Sequence, residues 1–196
     1  MRKEIARQQR EERILLSLKK LDYLSRSQLQ TLHGLGSARN ASRVLKNMEQ
    51  YISSFRDSEN IYYLNKEGRE RVNCQKVFKK TMQARHVLMR NDLYIACGQP
   101  ATWKNEMKLE VKGRVSVIAD ALFIRERRYH IVEVDHTQKM GKNRTKVERY
   151  RKLIDLGVFE KQPLFLWVTM TEYRRKQLLS LCEGLDVKVF TIRDFH

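Results

Sequence analysis

The chain has 196 residues, enough for one large domain or two small ones, and 41% of them are hydrophobic, well above a disordered composition. Its 40 Lys and Arg against 23 Asp and Glu give a formal charge of +17 and a pI near 10.0, which attracts polyanions, nucleic acid first. No apolar run approaches the ~20 residues of a membrane span. Cys74, Cys97 and Cys182 lack the spacing of a zinc site or a disulfide framework.

Residues 4–21 read as a helix with Ile14, Leu15, Leu18 and Leu21 on one face. The opening MRKEIARQQREER has no signal-peptide pattern after it, so a reducing cytoplasm, at the nucleoid or a plasmid, is the expected location. Ser25 and Gln28 form a capping box for a short helix from Arg26 to His33, which Gly34 ends. A third helix begins near Ser37. Ala41, Val44, Leu45 and Met48 recur on its core face, while Arg39, Asn40, Ser42, Arg43 and Lys46 lie opposite. Two short strands, YISSF and NIYYL, follow, joined by Arg56, Asp57, Ser58 and Glu59, and Asn65 caps a helix over KEGRERVNCQKVFKK.

Three helices and a hairpin in this order predict a winged helix-turn-helix, with the third helix in a DNA groove and the hairpin as wing. Arg binds guanine bidentately, Asn binds adenine, and Lys and Ser hold phosphate, so Arg39, Asn40, Ser42, Arg43, Lys46 and Arg56 are the candidate contacts to double-stranded DNA. The same fold with these residues merely exposed would serve protein contacts instead.

A helix is expected from Lys79 to Cys97, with the domain boundary between residues 72 and 82. This assigns residues 1–76 to the DNA-binding domain and 77–196 to a second, α/β domain, for an α+β chain as a whole. Residues 101–113 read as an irregular strand or loop, with Glu106 a further candidate carboxylate. Val115 to Ile124 and Tyr129 to Asp135 read as two strands around a charged turn, Arg125 to Arg128. Asp120 lies in the first strand and Glu133 and Asp135 in the second, where their spacing puts them on one face. Pairing about the turn sets Asp120 opposite Glu133. Three carboxylates together demand a cation or a basic neighbour.

Half of the 14 residues from Lys139 to Lys152 are Lys or Arg, on a helix expected to start near Asn143. Lys146 falls on its apolar face with Val147, Tyr150 and Leu153, and so wants a carboxylate partner. A strand (QPLFLWVTM), a helix capped by Thr171 and ended by Gly184, and a last strand (DVKVFTI) complete a mixed-sheet α/β domain.

Asp120-Ala121 at the end of one strand, Glu133-Val134-Asp135 in the next, and the helix with Lys146 and Tyr150 resemble the active-site hairpin of the PD-(D/E)xK nuclease-like fold. With the winged-helix third, most of the chain resembles the replication-relaxation family of plasmids and mobile elements. One departure stands out: Asp135 occupies the position where the nuclease motif has lysine.

The resemblance implies plasmid or mobile-element replication or DNA relaxation, with replication or relaxase proteins as partners. Three readings stay open. The nuclease-like domain is a non-cleaving scaffold for DNA or a partner. Alternatively, Asp120, Glu133 and Asp135 hold Mg²⁺ or Mn²⁺ and Lys146 or Lys139 restores nicking. In the third, the chain is a homodimeric repressor reading a palindrome. The sequence has no phosphate-binding loop, since Gly34 and Gly36 lack a following Gly-Lys-Ser/Thr.

Overall fold

The computed structural model describes residues 1–195, which form two compact units, Met1–Asn91 and the chain from Asp92 onward. Seven α-helices and two sheets, one of three strands and one of five, make the chain α+β among the described residues. No helix among them is long and apolar enough to cross a membrane.

The first unit starts with α1 (Arg2–Leu21), whose Ile14, Leu15, Leu18 and Leu21 are buried while its first eight residues are exposed. Strand β1 (Leu24–Ser25) leads into α2 (Arg26–His33), and the expected capping box is present, with Ser25 and Gln28 satisfying each other's backbone N–H. Gly34 then takes a left-handed φ of 58°, as a helix-ending glycine does. Helix α3 (Ala38–Lys46) is capped by Ser37 and buries Ala41, Val44 and Leu45. Strands β2 (Ile52–Asp57) and β3 (Glu59–Leu64) form an antiparallel hairpin, and β1 adds to the far side of β3.

Helix α4 (Lys66–Arg71) is shorter than the expected helix to Lys80. Asn73 turns left-handed at φ 50°, and the Cys74 N–H closes on the Arg69 carbonyl, which ends the helix. The chain then continues without regular secondary structure, held by Phe78, which packs edge-on against Tyr23 with ring centroids 5.7 Å apart. The Tyr23 hydroxyl donates to the Lys79 carbonyl at 2.7 Å. Gly68 is required in α4: a Cβ there would lie 2.0 Å from the Tyr51 carbonyl oxygen.

Helix α5 (Ala84–Ala96) begins later than expected and contains the division between the units, at 91/92 where the sequence placed it at 76/77. The reason is polar. Arg90, buried, donates to the Leu21 carbonyl at 3.0 Å and pairs with Asp22 at 3.2 Å, and Asn91 donates to the carbonyls of Leu21 and Tyr23 at 3.0 and 2.7 Å. These side chains satisfy carbonyls orphaned where α1 ends, so the first half of α5 belongs to the first unit.

In the second unit the five strands lie in the order β4-β5-β6-β7-β8. The region expected as irregular is a regular edge strand, β4 (Lys104–Val111), alternating exposed and partly buried residues. β5 (Val115–Arg125) and β6 (Arg128–Asp135) pair antiparallel through a two-residue turn. Glu126 and Arg127 both have positive φ, 52° and 59°, so the hairpin closes more tightly than the four-residue turn expected. β7 (Leu164–Thr169) and β8 (Val187–Thr191) extend the sheet in parallel, joined through α6 (Met140–Asp155) and α7 (Glu172–Leu181). Val147, Tyr150 and Leu153 of α6 and Leu178 and Cys182 at α7 pack with Ile131, Phe165 and Trp167 of the sheet into one core. Tyr94, Trp103, Phe123 and His130 form a separate aromatic stack.

Candidate functional site

The sheet is interrupted at Asp120. β4 pairs with β5 at Asn105–Ala121 and again at Met107–Ala119, but not at Glu106 and Asp120 between them, and Glu106 there adopts a left-handed φ of 52°. The β5–β6 ladder likewise stops at Ala121–Val132, one step before Asp120 would meet Glu133. In place of the next backbone bond, Asp120 Oδ2 accepts the Val134 N–H at 2.8 Å. A side chain thus substitutes for the ladder, and the two strands part where the acids stand. Such local breaks recur where sheets carry function.

Glu133 is fully buried. The Tyr150 hydroxyl donates to its Oε1 and the Lys146 ammonium to its Oε2, both from α6. Lys146 Nζ also lies 3.8 Å from Asp120 Oδ1, so one lysine serves two acids. Only Lys146 and Asp120, at 22% and 18% side-chain exposure, open this cluster to solvent. Burial and the charge of Asp120 push Glu133 well above the usual carboxylate range, against the opposing pull of Lys146 and Tyr150. Burial acts to lower Lys146, but the charges of Glu133 and Asp120 outweigh it and raise its pKa.

Asp135 does not join them. Its carboxylate takes a two-pronged bond from Arg174 of α7, with Nε at 2.8 Å, and further bonds from Asn143 and Thr169, each at 2.8 Å. Burial would raise this carboxyl, but the bonds from Arg174, Asn143 and Thr169 prevail and hold it below its ordinary value. The expected single patch of three carboxylates is therefore two separately neutralised sites. Glu106 is exposed on the edge strand, and Lys139 is exposed just before α6. As arranged, the donors do not fit a divalent ion: a lysine occupies the space between Asp120 and Glu133, and an arginine covers Asp135. Among the described residues no group of three or more His, Cys, Asp or Glu is placed to hold a metal.

Arg174, Asn143 and Thr169 were not singled out from the sequence. Arg174 sits within a run of basic residues on α7, and nothing local marks it as the partner of an acid 39 residues away.

In the first unit Arg39, Ser42, Arg43 and Lys46 are exposed on α3 and line one concave surface with Ser37 and Asn40. Asn40 is engaged at both ends of its amide. Nδ2 donates to the Leu35 carbonyl at 2.7 Å, and Oδ1 accepts from Arg43 at 2.7 Å. At the hairpin tip, Asp57 takes a two-pronged bond from Arg85 at 2.8 and 2.9 Å. Glu59 accepts from the N–H and hydroxyl of Ser27 at 3.0 and 2.6 Å and pairs with Arg26 at 3.3 Å. Both acids of the hairpin are thus tied back, while Arg56 is exposed.

No curated protein matches the chain. Among solved structures, the crystal structure of protein VC1899 from Vibrio cholerae matches at 13% identity with a TM-score of 0.39, over 91% of this chain and 46% of that one. This chain therefore spans less than half of that protein's length. The family model for replication-relaxation matches residues 15–165, across both units, and the chain belongs to the replication-relaxation family.

Proposed function

We propose that this chain is a DNA-binding accessory protein in the replication or relaxation of a plasmid or mobile element. The observation that carries the reading is the α3 face, where Arg39, Arg43 and Lys46 are exposed along one concave surface in a chain of formal charge +17. In this reading the first unit works as a winged helix-turn-helix. α3 lies in the major groove, and the β2–β3 hairpin is the wing, with Arg56 on a phosphate. Tying Asp57 and Glu59 to arginines lessens the repulsion that these acids would exert on DNA.

The second unit is read as a PD-(D/E)xK-type frame that no longer cleaves. Asp120 and Glu133 are held by Lys146, and Asp135, at the place of the motif's lysine, is bound to Arg174. The unit then acts as a scaffold for DNA or for a replication or relaxase protein. One observation favours a second reading, a nickase: Lys146 reaches from the following helix to the two acids that would flank a scissile phosphate.

The experiment combines DNA binding with plasmid nicking, using the full chain and Glu133→Gln in Mg²⁺ and in Mn²⁺. The scaffold reading expects binding that weakens with salt and no nicking in either ion. Nicking that is lost in Glu133→Gln would overturn it in favour of the nickase. A footprint with two-fold symmetry would point to a dimeric repressor.

A further inference from the structure

The second unit carries a basic groove that neither acidic site uses. Arg114, Ser116, Ile118, Arg149 and Lys152 line it, between the start of β5 and the flank of α6. The tight turn before β5, where Gly113 has a φ of +73°, presents Lys112 and Arg114, both exposed. Arg149 is fixed at the groove wall, since its Nη1 donates to the Ser116 carbonyl at 3.2 Å. Glu110, which pairs across from Ser116, is already bound to Lys108 at 2.8 Å. Glu148 and Asp155, each about one turn from Lys152, are the acids of α6 and offset only part of the charge.

The α6 wall of the groove begins at Arg149, about one helical turn beyond Lys146. Lys142, Lys146, Arg149 and Lys152 recur at intervals of three or four residues and fall on one flank of α6. At a rise of about 1.5 Å per residue, Arg149 lies about 4.5 Å and Lys152 about 9 Å along the helix from Lys146. A row of cations a few ångströms apart along one helix flank suits a polyanion whose charges recur about every 3.4 Å of duplex axis per strand. Ile118, 56% exposed, adds an apolar floor with no charge to repel an anion.

We propose that this face binds the sugar–phosphate backbone of DNA, independently of α3, with a separate backbone phosphate neutralised by each of Arg114, Arg149 and Lys152. The proposal rests on the DNA-binding reading above and adds a second contact surface to it. The bound strand then runs along α6 past Lys146 and Asp120, which gives a non-cleaving unit a reason to keep that flank basic.

The test measures affinity for a fluorescent duplex against salt, using the full chain. Three variants are compared with wild type: Arg114→Gln/Arg149→Gln/Lys152→Gln, Arg39→Gln/Arg43→Gln/Lys46→Gln, and the two combined. The groove variant should lower the slope of log K against log salt by about 2.7, from three lost phosphate contacts at about 0.9 each, in both α3 backgrounds. Arg114→Lys/Arg149→Lys, which keeps the charges, should retain the wild-type slope, and thermal melting confirms that each variant is folded. An unchanged slope in the groove variant, with a loss in the α3 variant, would overturn the proposal and leave the DNA-binding reading standing. Absence of salt-dependent binding by wild type would overturn both. Loss of binding to polyglutamate alone, with the DNA slope intact, would assign the face to an acidic protein and also overturn the proposal.

Discussion

Lys146 on α6 donates to Glu133 on β6, a carboxylate with no solvent exposure, and so supplies the nearest compensating charge for a buried acid. Removing one member of such a pair leaves the other desolvated and unpaired. Lys146→Met should therefore destabilise the second unit by about 3–5 kcal/mol. The double variant Lys146→Met/Glu133→Gln should regain much of that loss, since the charge is gone from both sides. Urea unfolding of the two singles and the double measures the coupling.

Asp135 gives the fold an acid-sensitive contribution. Its folded pKa lies below the ordinary value, so its stabilisation is present above the unfolded pKa of about 3.9 and is lost as pH falls through the folded one. Asp135→Asn should lower stability at neutral pH and flatten the decline below about pH 4. Denaturant midpoints taken from pH 7 to pH 2.5 would show both changes, and an unaltered acid limb would refute the assignment.

His33, at the end of α2, is lowered to about 4 by burial and by the nearby charge of Arg13. Between that value and the ordinary 6.5 the unfolded chain binds more protons, so the first unit gains stability as pH rises through this window. The full effect is on the order of 3 kcal/mol. His33→Gln should remove this dependence between pH 4 and 6.5, and NMR titration of the His33 ring should place its midpoint near the low value.

Asn40 and Arg43 are neighbours on α3 with different expected effects. Asn40 braces the turn before α3 through Leu35 and holds Arg43, so Asn40→Ala should cost about 1 kcal/mol of stability. Arg43→Ala should leave thermal stability nearly unchanged and weaken DNA binding. A selection of preferred sequences for each variant separates the roles: loss of an adenine preference in Asn40→Ala would show that the amide leaves Leu35 to read a base.

The helices of the first unit could be read from residues close together in the chain. Ser25 with Gln28, Ser37 and Asn65 mark their starts, and the apolar spacing in α1 and α3 marks their buried faces, because capping and helical periodicity act within one or two turns. The β5–β6 hairpin was equally local, and it placed Asp120 near Glu133 because a tight turn sets the register. The inward position of Lys146 followed from the same periodicity. Other features depend on partners far along the chain. Tyr23 and Phe78 hold a segment without regular structure where a helix was expected, and Arg90 and Asn91 cap an α1 that ended about 70 residues earlier. Asp135 parts from Glu133 although both share a strand face, because α7 crosses the sheet where Arg174 can reach the one, while α6 offers Lys146 and Tyr150 to the other. Chemistry along the chain states that each acid needs a counter-charge; which base answers depends on how the helices pack over the sheet, a long-range outcome with no local signature.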